Sequence, residues 1–212
     1  HGFIVNNKKA EEVKPYGFRS VADYNSFRYL DHSLGYYIDL LKQEKYAENT
    51  IFAFFGDHGN ERQAKHIRPS EEQLGITEFH VPFLIYAPGL IHQPEVRHTV
   101  ASEVDLLPTL ASVAGINYNN TTFGRDLFNS DFDDTRYAFT FGLTQPPELG
   151  LIGDQYYFKM RNGGINPALF SLDSKTPTKN LLEKYPELAK KMQELAQSYY
   201  ESILYVRQNN KP

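Results

Sequence analysis

Residues 51–60 read IFAFFGDHGN. Five apolar residues run without alternation into Gly-Asp-His-Gly. A short continuous apolar run reads as a central strand covered on both faces. In open α/β sheets, ligands bind beyond the carboxyl ends of the strands. Asp57 and His58 stand at such an end. Gly56 and Gly59 let the backbone turn sharply and approach a ligand closely. A carboxylate oxygen beside an imidazole nitrogen suits a divalent zinc, manganese or magnesium ion. Two ligands do not close a coordination shell, so at least two more are needed. The competing reading has Asp57 capping the following turn and His58 exposed on a loop.

Working outward, His80 leads into VPFLIYAPG, residues 81–89, a second buried strand stopped by Pro88-Gly89. Residues 60–79 between them are charged and polar, too long for a simple connection. A long loop beside a strand end is often functional. Upstream, residues 1–20 are polar and irregular. Phe27, Leu30, Leu34, Tyr37, Ile38 and Leu41 then make one apolar stripe near a 3.6 period, which predicts a helix over 21–46. Downstream, SEVDLLPTLASVAGI (102–116) carries helix start and stop signals. Ser102 is the N-cap with Asp105 three residues on, and Gly115 closes the helix. Pro108 inside it predicts a kink. Residues 137–141 and 155–160 read as strands. Asn162-Gly163-Gly164 is turn chemistry, which predicts a hairpin over 155–172. Residues 186–205 form a last amphipathic helix. This order of elements is α/β.

Composition narrows the function. At 212 residues and 41% hydrophobic content, the chain suits one large domain or a substantial part of one. A net charge of −4 with scattered Lys and Arg gives no footprint for nucleic acid. The chain has no cysteine, which removes a thiol nucleophile and a thiolate metal site within it. No stretch reads as a signal peptide or membrane span, since the longest apolar runs are strand-length. The opening His-Gly-Phe-Ile-Val, without an initiator Met, reads as the start of an excised piece.

Five stretches, in order, carry a resemblance to one family. They are FRYLDHSLGYYIDLLK, TIFAFFGDHGN, HVPFLIYAPG, SEVDLLPTLASVAGI followed by FGRDLF, and GDQYYFKM with ALFSLDSKTPTKNLLEKYPELAKKM. Together they resemble the C-terminal half of the catalytic domain of the sulfatase family, in the alkaline-phosphatase superfamily. The implied fold is part of an alkaline-phosphatase-like sandwich, a central mixed sheet flanked by helices. Residues 1–130 would supply the core α/β part, and 131–212 a smaller β-rich section with a closing helix.

Arylsulfatases usually carry Asp-Asn-Gly where this chain has Asp57-His58-Gly59. Asp-His is typical of members that handle phosphoesters, and the helix YNSFRYLDHSLGYYIDLLK is most similar to the lipoteichoic acid synthase and phosphoglycerol transferase branch. By that resemblance Asp57 and His58 are metal ligands for Mn, Zn or Mg, with Ca possible in a sulfatase-like site. The nucleophile and remaining ligands would lie upstream, so no catalytic nucleophile is expected in this chain. His1 partly matches a histidine that contacts the substrate head group in that branch. His66, in the long loop, is a candidate phosphate contact. His80 is expected to be buried, hydrogen-bonded to the shell around the metal site, and close to the substrate. Arg125 and Asp105 are read as surface and capping residues.

The resemblance implies a metal-dependent transferase or hydrolase. It would move a phosphoglycerol-like or phosphoethanolamine-like group from a lipid-linked or small phosphoester to a glycan or other acceptor. The longer protein would sit in a bacterial inner membrane through N-terminal spans, with the catalytic domain outside the cytoplasm. This piece would be soluble and inactive alone. The alternatives are a sulfuric ester hydrolase and a non-catalytic use of the fold.

Overall fold

The computed structural model describes residues 4–5, 7–60 and 62–209. The chain divides into two compact units, His1–Glu95 and Val96–Pro212. The mixed α/β architecture expected from the sequence is present, with helices and two sheets. No helix among the described residues is long and apolar enough to cross a membrane.

The first unit opens with a short helix, α1 (Ala10–Val13), a 3-10 turn (Lys14–Tyr16), and Gly17 in the left-handed region. The long helix α2 (Val21–Leu41) follows. Ser20 caps it by accepting the Asp23 N–H at 3.1 Å, and the Asp23 carboxylate sits at the positive end of the helix dipole. The helix stops at Leu41, five residues earlier than its polar continuation implied. Leu41 and Ala47 are both buried, and the residues between them are polar with nothing to bury. The chain therefore turns over residues 42–46 to bring Ala47 under.

Strands β1 (Phe52–Phe55) and β2 (Phe83–Tyr86) pair antiparallel, with Phe52 opposite Tyr86 and Phe55 opposite Phe83. Tyr37 of α2 meets Phe54 edge-on, ring centroids 6.3 Å apart. The all-apolar run is a strand, as expected, but not one covered on both faces. Phe55 is 54% exposed and Leu84 48%. Among the described residues β1 pairs only with β2, so each strand is half-clothed. Residues 60–79 hold a short helix, α3 (Pro69–Gln73), and a 3-10 turn (Ile76–Glu78). Pro69 starts α3, where its missing N–H costs nothing.

In the second unit a 3-10 turn (Glu103–Asp105) runs into α4 (Leu106–Val113). The expected cap is there: the Ser102 N–H donates to Asp105 Oδ2 at 2.9 Å. Pro108 is only the third residue of α4. In that first turn no intrahelical N–H bond is lost, so no kink is required. Asp105 does more than cap. Its Oδ1 accepts the Arg125 N–H at 2.7 Å, while Thr109 Oγ1 accepts the Leu127 N–H at 3.0 Å. These two bonds fix the GRDLF segment along α4.

Strands β3 (Ala138–Gly142), β4 (Glu148–Ile152), β5 (Tyr156–Arg161) and β6 (Ile165–Ser171) form an antiparallel meander in that order. The 155–172 hairpin is present, with Gly163 and Gly164 at positive φ in its turn. Strand β4 was not legible beforehand. The last helix, α5 (Pro186–Asn209), covers the sheet. Ala189, Met192 and Ala196, one helical stripe, pack on Leu149, Leu151, Phe158, Met160 and Leu169 to make the core of this unit.

Candidate metal and ester site

Strand β1 ends at Phe55, and Gly56 carries the chain out to Asp57 and His58. The Gly56 N–H donates to the Pro82 carbonyl at 3.2 Å, and a Cβ on Gly56 would press on Val81 at 3.1 Å. The start of β2 is therefore packed directly on the exit of β1. Gly59 is tied more tightly. Its N–H donates to the Glu78 carbonyl at 2.7 Å, and any Cβ there would overlap the Thr77 carbonyl oxygen. The Asp-His pair is thus held from behind at both of its glycines.

The two side chains themselves stand in the open, 92% exposed for Asp57 and 71% for His58. Asp57 Oδ1 accepts the His58 N–H at 3.0 Å. This part of the capping reading holds, since the carboxylate does bond the next backbone N–H. His58 Nδ1 lies 2.8 Å from the Gly59 carbonyl oxygen, so Nδ1–H is the donor and Nε2 the nitrogen left for a ligand. Nε2 lies 3.9 Å from Asp57 Oδ2. The Gly59 carbonyl first, and the Asp57 carboxylate next, hold the His58 pKa above its ordinary value.

This donor set fits a divalent ion. Bonds of about 2.0–2.2 Å from each atom reach a common point across such a gap. A ligating histidine that bonds a backbone carbonyl through its other nitrogen is the usual supporting arrangement. Among the described residues no group of three or more His, Asp or Glu side chains gathers around one point. Asp57 and His58 alone offer two donors, fewer than a closed coordination shell needs.

An open cleft of about 250 Å³ lies in the same unit, bordered by Tyr16, Phe27, Asn60, Arg62, Glu71 and His80. His80 was expected to be buried; its side chain is instead 68% exposed. Val81 and Pro82, not His80, pack against Gly56, and the imidazole is left at the cleft wall. Its Nδ1 stands 3.3 Å from Glu71 Oε1. The residues bonded to Gly59 belong to the same turn as His80, which links the Asp-His pair to the cleft through backbone alone. His66 is exposed and is not among the residues bordering the cleft; its ring centroid lies 5.9 Å from that of Tyr16. His1 lies outside the described residues.

Sequence reasoning missed three of the residues that shape this region. Arg62 Nη1 donates to Asp23 Oδ2 at 2.8 Å and to the Gly17 carbonyl at 3.3 Å, anchoring the loop after the Asp-His motif to the start of α2. The Arg19 N–H, then Arg62, hold the Asp23 carboxyl below its ordinary pKa. Glu71 is 9% exposed, and it also accepts from Arg68 through the backbone N–H and Nη2. Only the charge density of residues 60–79 pointed to Arg62 and Glu71, and it does not say which charges meet.

Comparison with known proteins adds the wider setting. The family model described as Sulfatase matches residues 7–116, half of the chain. Lipoteichoic acid synthase 1 of Bacillus subtilis is 36% identical over 143 residues, 63% of this chain and 22% of that protein. An endo-4-O-sulfatase of Bacteroides thetaiotaomicron is 31% identical over 112 residues, 53% of this chain and 20% of that one. The chain thus spans about a fifth of the length of these relatives. A 2-O GAG sulfatase structure, BT1596, superposes with a TM-score of 0.62 over 90% of this chain and 44% of its own, at 20% identity. The lipoteichoic acid synthase LtaP of Listeria monocytogenes does so at 0.55 over 87% and 46%, at 18% identity. At those identities the structures speak for the fold.

Proposed function

Because the chain belongs to the sulfatase family, we propose that it forms the C-terminal part of a metal-dependent catalytic domain that transfers or hydrolyses a phosphoester. The observation that carries this reading is the Asp57–His58 pair. It is presented side by side at a strand end, with His58 Nδ1 already committed to a backbone carbonyl and Nε2 open. In this branch of the family a histidine stands where arylsulfatases have asparagine. The kinship to lipoteichoic acid synthases supports phosphoglycerol-like transfer over sulfate ester hydrolysis.

In this reading Asp57 Oδ2 and His58 Nε2 are two of the ligands of one divalent ion, Mn, Zn or Mg. The bound ion would supply charge stabilisation at a non-bridging ester oxygen and ease deprotonation of a hydroxyl nucleophile. That nucleophile, a threonine or serine, belongs to sequence upstream of this chain. His80 at the cleft wall and the exposed His66 contact the ester, and His1 contributes a head-group contact. Gly59 ties the Asp-His pair to the turn beside the cleft through its bond to Glu78. The donor is lipid-linked, the acceptor a glycan hydroxyl or water, and the longer protein works on the outer side of a bacterial inner membrane.

The test is metal content and turnover of the longer protein, wild type against Asp57→Ala. The reading predicts loss of bound metal and of phosphodiester turnover, with the melting temperature of the metal-free protein nearly unchanged because the carboxylate is exposed. The 212-residue chain alone is expected to show negligible turnover with added Mn²⁺ or Zn²⁺. Substantial turnover by this chain, abolished by Asp57→Ala, would contradict the assignment of the nucleophile to upstream sequence.

A further inference from the structure

The reading above leaves one buried acid without a task. Glu71 sits at the start of α3, 9% exposed, in a unit where most carboxylates face water. A carboxylate so placed needs partners, because desolvation of its charge is costly. Arg68 supplies two donors, its N–H to Oε2 at 3.2 Å and Nη2 to Oε1 at 3.3 Å. The third neighbour is the His80 ring, whose Nδ1 stands 3.3 Å from the same Oε1. Both Glu71 and His80 border the cleft.

The two ring nitrogens of a neutral histidine are distinct, and the partner of one decides the state of the other. A carboxylate can only accept. To hydrogen-bond Glu71, Nδ1 must carry the proton, and Nε2 is then the lone-pair nitrogen offered to the cleft. If His80 gains a second proton, both nitrogens donate, one to Glu71 and one to a ligand oxygen. In either state such a bond would restrict the ring's rotation. An exposed imidazole on a strand end would otherwise lose rotamer freedom on meeting a ligand.

We propose that Glu71 is a positioning residue that holds His80 as an Nδ1–H tautomer, with the Nε2 lone pair directed at a hydroxyl bound in the cleft. The proposal rests on the reading of His80 as a substrate contact, but its structural core, the Glu71–His80 pairing, can be measured without turnover.

The experiment is long-range ¹H–¹⁵N correlation on the ¹⁵N-labelled 212-residue chain, above the range where exposed histidines titrate, with His66 as the internal comparison. The expected spectrum shows His80 protonated at Nδ1, with His66 in the other tautomer or averaging. Glu71→Gln, checked for folding by its backbone amide spectrum, is expected to return His80 to the pattern of His66. Loss of folding in that variant would not rescue or spoil the claim, because the wild-type tautomer alone decides it. A wild-type His80 protonated at Nε2, or averaging like His66, overturns the proposal. A wild-type Nδ1–H signal in a protein that proves to hydrolyse or transfer no ester would leave the dyad standing and remove the functional reading instead. In the longer protein, Glu71→Gln is expected to weaken ester binding roughly tenfold, the scale of one charge-assisted hydrogen bond. An unchanged KM would contradict the positioning role.

Discussion

A methyl group on Gly59 would overlap the Thr77 carbonyl oxygen, whereas one on Gly35, in the middle of α2, would meet nothing within 4 Å. The same substitution therefore has opposite signs at the two places. Gly59→Ala is expected to destabilise the first unit by about 1–3 kcal/mol or more, because backbone must move to admit the Cβ. Gly35→Ala is expected to stabilise it by about 0.5–1 kcal/mol, through helix propensity alone. Urea titration followed by far-UV circular dichroism distinguishes them; equal midpoints would show that Gly59 is not a contact point. At this scale the sequence was informative about residue type and silent about partners. Asp57 and His58 were legible because their chemistry and their place after a strand coincide. Glu71 and Arg62 were not, because a charged residue in a charged loop acquires its meaning only from what lies opposite. His80 was placed correctly beside the start of β2 but given the wrong environment, since the alternation that decides burial does not reach past Val81.

At the scale of elements, an ion pair ties the 60–79 segment to α2. Arg62 joins Asp23, and both side chains are about one-fifth exposed. Asp23 has its folded pKa lowered, so its contribution to stability is present above the unfolded value and is lost as pH falls through the folded value. Arg62→Ala is expected to cost about 1–2 kcal/mol at neutral pH. The gap between variant and wild type should narrow as pH falls below about 4. Thermal unfolding at pH 7 and pH 3 reads this directly, and a gap that persists unchanged at pH 3 would remove the ion pair as its cause.

The sheet of the second unit makes the opposite prediction. Burial pushes the Tyr157 hydroxyl up to about 12. Its folded pKa is raised, so the stability is complete below the unfolded value near 10 and fades as pH rises toward the folded value. Wild type is expected to lose about 2–3 kcal/mol relative to Tyr157→Phe between those limits. A flat difference over that range would mean the phenol is not buried. Strand β4, against which Tyr157 packs at Gly150, was illegible for a physical reason. Glu-Leu-Gly-Leu-Ile has a glycine at its centre, which weakens any strand pattern. In the fold that glycine is required, because a Cβ there would overlap Thr140 Oγ1. The other elements, α2, β1, β2 and α5, were visible because each carries an apolar run or stripe with its own period.

For the whole molecule, the continuous apolar run of β1 gave the strand but overstated its cover. Phe55, Leu84 and, on α2, Leu30 keep about half or more of their surface exposed in this chain. Periodicity reports that a surface is apolar and leaves open which segment covers it. The same holds for the chemistry. Asp57 and His58 stand together after a strand end, and among the described residues no third His, Asp or Glu gathers with them. The chain covers under half of the sulfatase-family structures it superposes on, which is in keeping with a site assembled from more than this sequence.

The central claim, that His58 belongs to a phosphoester site, meets its most direct test in a substrate panel on the longer protein. The panel compares kcat/KM for a glycerophospholipid, a phosphoethanolamine lipid, an aryl phosphate diester and an aryl sulfate, in wild type and Asp57→Ala. The account predicts that a phosphoester, the glycerophospholipid foremost, is preferred and that Asp57→Ala abolishes its turnover. Preference for the aryl sulfate, or turnover that survives Asp57→Ala, would contradict it.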